Sequence, residues 1–142
     1  MQKKVFIGCG AGFSGDRFDA SLPIVKEFKN INEPKYLMFE VLAERTLAIA
    51  QQYRLKNPEE GYSPFLDSYI TPIIDDCLEN NIKIISNIGA ANPLGAAKRI
   101  QKIAEEQKIR KPKIGVVVGD DLLDYMSNDE ILESPTMEGL DF

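Results

Sequence analysis

Four short, almost continuously apolar runs limit what this chain can fold into: Val5 to Gly8, Tyr36 to Phe39, Ile82 to Ser86 and Ile114 to Val118. Val, Ile, Phe and Tyr dominate them. Their lack of alternation with polar residues marks strands covered on both faces, as in a parallel sheet. Helix-period spacings lie between the runs. Phe18, Leu22, Val25 and Phe28 keep the three-to-four step, as do Leu66, Ile70, Ile73, Ile74, Cys77 and Leu78, and later Ala97, Ile100, Ile103 and Ala104. Leu42 to Tyr53 adds a helix rich in Ala and Leu. The order β-α-β-α-α-β-α-β predicts an α/β fold: a three-layer, Rossmann-like, doubly wound parallel sheet of about four strands. Four strands make a small sheet, so it is expected to belong to a larger α/β unit, or to pair with a second copy or a partner subunit.

Start and stop signals refine the helices. Ser63-Pro64 and Asn92-Pro93 each place a capping side chain before a proline whose missing N–H costs nothing in a first turn. Ser21, with Pro23 behind it, is expected to cap the first helix likewise. Pro72 is expected to kink or divide the third helical pattern, and Asn57 to Tyr62 reads as an exposed loop. Residues 1–124 form the expected ligand-binding domain. Residues 125–142 read as a polar tail or the start of further α/β sequence.

Composition removes whole classes of chemistry. The 142 residues, 44% of them apolar, suit one domain with one core. The chain has no histidine, so it cannot supply a Ser-His-Asp triad, a histidine-ligated zinc or a histidine base. A net charge of −5 argues against nonspecific nucleic-acid binding. The only basic cluster, Lys108, Arg110, Lys111 and Lys113, reads as a solvated turn before a strand. Cys9 and Cys77 stand apart, without metal-ligand spacing, which suits a reducing cytoplasm. No apolar run approaches membrane-spanning length, and Val5 to Phe13, with three glycines, is too short for a signal sequence. A cytoplasmic protein is expected.

Ligands of open parallel sheets bind outside the carboxyl ends of the strands, and all four ends here carry unusual residues. The first holds four of the ten glycines between positions 8 and 15, and Gly10-Ala11-Gly12-Phe13-Ser14-Gly15 matches GxGxxG. Glu40, ending the second run, stands where a dinucleotide fold places its ribose-binding acid. The helical pattern begins only near Asp19 to Ser21, however, so the segment reads as a long loop whose amides could cradle an anion. NAD(P) or flavin binding stays open as an alternative. Gly89-Ala90-Ala91 before Asn92 offers amides at a helix N-terminus, for an anion or simply as a cap, and Asn87 offers a side-chain amide. Glu40, Glu44, Asp16, Asp120 and Asp121 would crowd this edge and push one another's pKa values upward, toward acid or base work near neutrality. Glu40, Asp120 and Asp16 are the candidate catalytic groups. Arg17 and Arg45 are candidate anion clamps, and Ser14, Gly15, Glu44 and Asp121 complete the candidate ligand contacts. Asp120 and Asp121 alone do not define a metal site, and Cys9 reads either as an activated thiol or as a small apolar filler.

The segments Gly8 to Arg17, Phe39-Glu40 with Leu42-Ala43-Glu44-Arg45-Thr46, Asn87 with Gly89 to Pro93, and Gly119-Asp120-Asp121 together resemble the N-terminal part of the acyclic terpene utilisation (AtuA-like) family. The resemblance runs to about Asp124. It implies a place in bacterial breakdown of acyclic terpenoids such as citronellol and geraniol, where intermediates travel as acyl-CoA thioesters, and some relatives are similar to partners of acyl-CoA carboxylases. It brings no settled reaction, cofactor or catalytic residue. The expected function is therefore binding of an anionic, acyl-CoA-type small molecule, with carboxylate-driven hydration or hydrolysis as the chemistry open to it. A docking or structural subunit of an acyl-CoA-processing complex is the alternative.

Overall fold

A computed structural model describes residues 4–122 and 125–134. The domain boundary expected at residue 124 and the tail beyond residue 134 lie outside the described residues. Three strands form one parallel sheet: β1 (Phe6–Ala11), β2 (Lys35–Phe39) and β3 (Ile82–Ser86), in the order β1-β2-β3. Around them lie α1 (Ser21–Phe28), α2 (Glu44–Lys56), α3 (Leu66–Ile70), α4 (Ile74–Glu79), α5 (Pro93–Glu106) and α6 (Asn128–Leu132). The α/β class holds, but the sheet has three strands rather than about four.

Strand order explains the layering. Right-handed crossovers that step in one direction across a sheet carry their helices to one face. Doubly wound sheets need a reversal, and the order of the described strands contains none. Burial follows suit. Phe6, Leu37, Phe39, Ile82 and Ile84 meet Val25 and Phe28 of α1, Leu66, Tyr69 and Ile70 of α3, Ile74 and Cys77 of α4, and Ala96 and Ile103 of α5 in one cluster. On the opposite face, Ile7 is 76% exposed and Ile85 51% exposed.

The fourth apolar run is not in the sheet. Residues 111–122 form no helix or strand; Ile114 and Val116 are half-buried, whereas Val117 is 92% and Val118 64% exposed. Arg110 Nη2 donates to the Leu78 carbonyl at 2.6 Å, just before β3, and Asp121 pairs with Arg54 at 3.5 Å. Arg54 in turn donates to Ala91 O beyond β3, at 2.7 Å. The run thus travels from the amino edge to the carboxyl edge, in the same sense as β3, without joining its ladder. Apolar β-branched residues give a segment strand character, but they do not specify which edge it joins.

Local signals act as their chemistry dictates, with two exceptions. Pro72 separates α3 from α4, and Asn92 Oδ1 accepts from Gly95 N at 2.9 Å, capping α5. Ser63 accepts from Phe65 N at 3.3 Å, but α3 begins only at Leu66. Ser21 does not cap α1: it is the first helical residue, and its buried Oγ has no partner. The last carbonyl of α1 and one in the turn after it are met by Lys35, 7% exposed, whose ammonium donates to Phe28 O at 3.0 Å and Ile31 O at 2.7 Å.

The glycines of the first loop differ in what they do. Gly10 is the extra residue of a β-bulge between Cys9 and Ala11, and a Cβ there would lie 2.6 Å from the Phe39 ring. A Cβ on Gly12 would meet nothing within 4 Å. Gly10→Ala is therefore expected to destabilise the fold by about 1–3 kcal/mol through overpacking. Gly12→Ala should leave stability within about 0.5 kcal/mol of the parent. Urea denaturation of the two variants checks the contrast.

Candidate functional site

The carboxyl edge is laced together by side chains that end the strands. Glu40 N donates to Ala11 O at 3.1 Å, joining β2 to the end of β1. Ser86 Oγ donates to Phe39 O at 2.8 Å and accepts from Ile88 N at 3.0 Å, joining β3 to β2. Between these ties sits Glu40, half-buried, directly after the central strand. Its Oε1 accepts from Asn87 Nδ2 at 2.8 Å and from Leu42 N at 3.1 Å. Asn87 Oδ1 accepts from Val41 N at 2.8 Å, which settles the orientation of the amide. Both partners of Glu40 favour its charged form, the Asn87 amide most strongly, and hold the carboxyl below its ordinary range. Glu40 is thus an oriented, ionised carboxylate at neutral pH. Among the described residues its second oxygen carries no hydrogen bond.

The glycine loop is closed by its own acid. Asp16 Oδ2 accepts from Gly12 N at 3.0 Å and Oδ1 from Arg17 N at 2.8 Å. These amide bonds lower the Asp16 pKa, and the site an external anion would take is filled by a carboxylate. Tyr69 anchors the loop from beneath, its hydroxyl donating to Asp16 O at 3.0 Å. Arg17 is drawn aside by Asp19, with Nε 2.7 Å from Oδ1. Gly15 adopts φ +84°, a turn geometry open to glycine, and Ser14 lies half-buried beside it.

The third loop is also internally engaged. Ala90 N donates to Asn87 O at 3.1 Å, Ala91 N to Gly61 O at 2.9 Å, and Asn92 N to Gly89 O at 2.8 Å. Asn92 Nδ2 reaches Pro58 O at 3.0 Å and Glu60 O at 2.7 Å, so this residue clamps the 57–62 loop as well as capping α5. Gly89 is required by space, since a Cβ there would lie 2.6 Å from Pro93 Cα. Ala90 holds φ +44°, a strained conformation for a residue with a side chain.

The remaining candidates divide by position. Glu44 and Arg45 are exposed at the start of α2, with no partner among the described residues. Asp121 is brought to the third loop through Arg54, while Asp120 beside it is exposed. Gly10, packed on Phe39, contributes shape to the edge. Cys9 is an exposed free thiol on β1. Arg54, Ser86 and Tyr69 organise the edge without being singled out by motif; the one sequence signal was the hydroxyl of Ser86 ending a mostly apolar run.

Two depressions lie elsewhere. One, of about 420 Å³, is at the amino edge between Asn32, Lys35, Asn81 and Lys83. The other, of about 370 Å³, lies between Tyr53, Tyr62, Asp67 and Arg99. Arg99 is held there in ion pairs with Asp67 and Glu106. Neither is lined by Glu40. No group of three or more potential metal-ligating side chains occurs among the described residues, and no helix among them is long and apolar enough to cross a membrane.

Comparison with known proteins gives one finding: the family described as acyclic terpene utilisation family protein AtuA matches residues 5–139. No curated protein and no solved structure gives a match.

The Glu40 and Asn87 pair makes two predictions. Asn87→Ala leaves Val41 N without its acceptor and Glu40 without its main donor, and is expected to cost about 1–3 kcal/mol. Because the folded carboxyl lies below an unfolded value near 4.3, its contribution is complete above that value and is lost as pH falls through the folded one. Glu40→Gln keeps an Oε1 acceptor, so stability at pH 7 should change by less than about 1 kcal/mol while the acid-induced loss shrinks. Urea midpoints of parent and variant between pH 7 and pH 3 check both.

Proposed function

From a chain that belongs to the acyclic terpene utilisation family, we propose a ligand-binding module whose carboxyl edge takes an anionic, acyl-CoA-type intermediate of acyclic terpenoid breakdown. The observation that carries this reading is the Glu40 carboxylate, held by Asn87 at the end of the central strand with one oxygen open. The Gly12 and Arg17 amides support it, since they already hold one carboxylate, that of Asp16. A ligand phosphate or carboxylate takes these donors by displacing Asp16, while Glu40 receives a hydroxyl or a water.

The chemistry open to this arrangement is base catalysis. With a thioester bound, Glu40 draws a proton from water as the water oxygen bonds to the acyl carbon. The C–S bond then breaks, and the thiolate leaves with the proton. Hydration of a conjugated double bond uses the same base. Asp120, on the segment that Asp121 ties to Arg54, is the second acid of this proposal. Glu44 and Arg45 extend the contact surface at the start of α2. In the assembled protein, a second copy or a partner subunit completes the doubly wound unit in the cytoplasm.

A second reading, a docking subunit of an acyl-CoA-processing complex without chemistry of its own, is favoured by the exposed Ile7 and Ile85 on the sheet face away from the core. An NAD(P)-binding oxidoreductase domain is the third reading. Thermal unfolding with a panel of CoA, short acyl-CoA, geranyl-CoA and NAD(P) separates them. Ligand at a hundred times Kd stabilises by about 2.7 kcal/mol, a Tm rise on the order of 10 °C for a domain of this size. We expect that rise with acyl-CoA species, and tighter binding by Asp16→Ala, which frees the amides. A response to NAD(P) alone would reverse the assignment.

A further inference from the structure

Helix α2 shares no packing with the core that the other long helices build. Of its 13 residues only Ala50 is buried, and no residue of α2 belongs to the core cluster, to which α1, α3, α4 and α5 all contribute. Leu47, Ile49, Tyr53 and Leu55 are exposed. The bonds at its start are local: Thr46 Oγ1 accepts from Ala43 N at 2.7 Å and donates to Ala43 O at 2.8 Å. Along its second half, the depression of about 370 Å³ lies between Tyr53 and the Asp67 and Arg99 ion pair that joins α3 to α5. One seam holds α2 to the body. Arg54 Nη1 donates to Ala91 O at 2.7 Å and pairs with Asp121 at 3.5 Å. Beside it the chain passes close at Gly61, where a Cβ would lie 2.7 Å from Arg54 Cβ.

We propose that α2 is a flap, which undocks as one unit while the sheet and its other helices stay folded, with residues 40–43 as its hinge and Arg54 as its latch. Elements that bury little apolar surface open locally, well below the free energy of global unfolding. Here one alanine side chain and one half-exposed guanidinium are all that the seam buries, and exposed ion pairs add little to it. The Ala, Leu, Gln and Arg residues of α2 are strong helix formers, so the docked segment keeps its shape without help from the core. A free helix of this length is marginal in water, so undocking exposes its amides to exchange. The consequence falls on the carboxyl edge. The hinge begins at Glu40, and Leu42 N within it is one of the two donors to that carboxylate. Docking of α2 thereby sets the orientation of Glu40. This consequence rests on the reading of Glu40 as the ligand-facing group; the flap itself does not.

Native-state amide hydrogen exchange of the isotopically labelled full chain, read by NMR over a series of low urea concentrations, tests the flap. We expect the amides of residues 48–56 to share one protection factor, at least about a hundredfold below those of β2 and α5. Their dependence on urea should be much shallower, because the opening exposes little surface. Arg54→Ala should lower the shared protection by about tenfold and keep the shallow urea dependence, and it should move the carboxyl carbon signal of Glu40. Protection and urea dependence in α2 equal to those of β2 and α5 would overturn the proposal, since α2 would then open only with the whole chain. A gradient of protection rising from both ends of α2 would also overturn it, as fraying. Unchanged α2 exchange in Arg54→Ala would remove the latch, and an unmoved Glu40 signal would remove the coupling to the edge. Addition of geranyl-CoA without any shift at the Gly12 and Arg17 amides would refute the ligand reading and leave the flap standing.

Discussion

The structure rests on packing against one side of a three-stranded parallel sheet. Leu37 and Phe39 of the central strand are fully buried, and the Tyr69 ring lies with its centroid 5.5 Å from that of Phe39. Each aromatic of this kind removes a large apolar area from water, about 2–3 kcal/mol of stabilisation. Gly8 and Gly10 are the counterpart. A Cβ at Gly8 would lie 2.4 Å from Ile24 Cγ2, and one at Gly10 would strike the Phe39 ring, so β1 lies against α1 and Phe39 only because these side chains are missing. The first two glycines of the glycine-rich segment are therefore part of the core. The loop proper begins at Gly12.

The same packing places the candidate site. Once β2 is central, Glu40 emerges between the ends of β1 and β3, within reach of an amide that follows β3. Asn87 then does two things: it accepts from Val41 N and donates to Glu40, so the backbone and the carboxylate are fixed by one side chain. Asp16 and Tyr69 link the glycine loop to the core, and Asn92 links α5 to the 57–62 loop. The edge is ordered by these bonds.

Much of this was legible in the residues themselves. The first three apolar runs became β1, β2 and β3 within a few residues, because short, nearly continuous apolar runs leave little alternative. Pro72 and Asn92 acted locally, as a missing N–H and a capping oxygen must. What was not legible depended on partners distant in sequence. Ile114 to Val118 reads as a strand by composition, but composition does not name the edge it joins. Ser21 looked like a cap from its place before Pro23, yet the helix begins one residue earlier than a capping role requires. The loop amides were visible as donors; that Asp16, Gly61 and Asn87 would accept from them was not. Lys35, at the start of an apolar strand, gave no sign that it would be buried against the end of α1.

The proposed ligand contact at the carboxyl edge turns on the Glu40 carboxylate. The most direct measurement is the NMR signal of the Glu40 carboxyl carbon, assigned through Glu40→Gln, during titration with geranyl-CoA at neutral pH. A saturable shift is expected at Glu40 together with the Gly12 and Arg17 amides, as Asp16 gives up its place. A titration that saturates while all three signals stay still would contradict it.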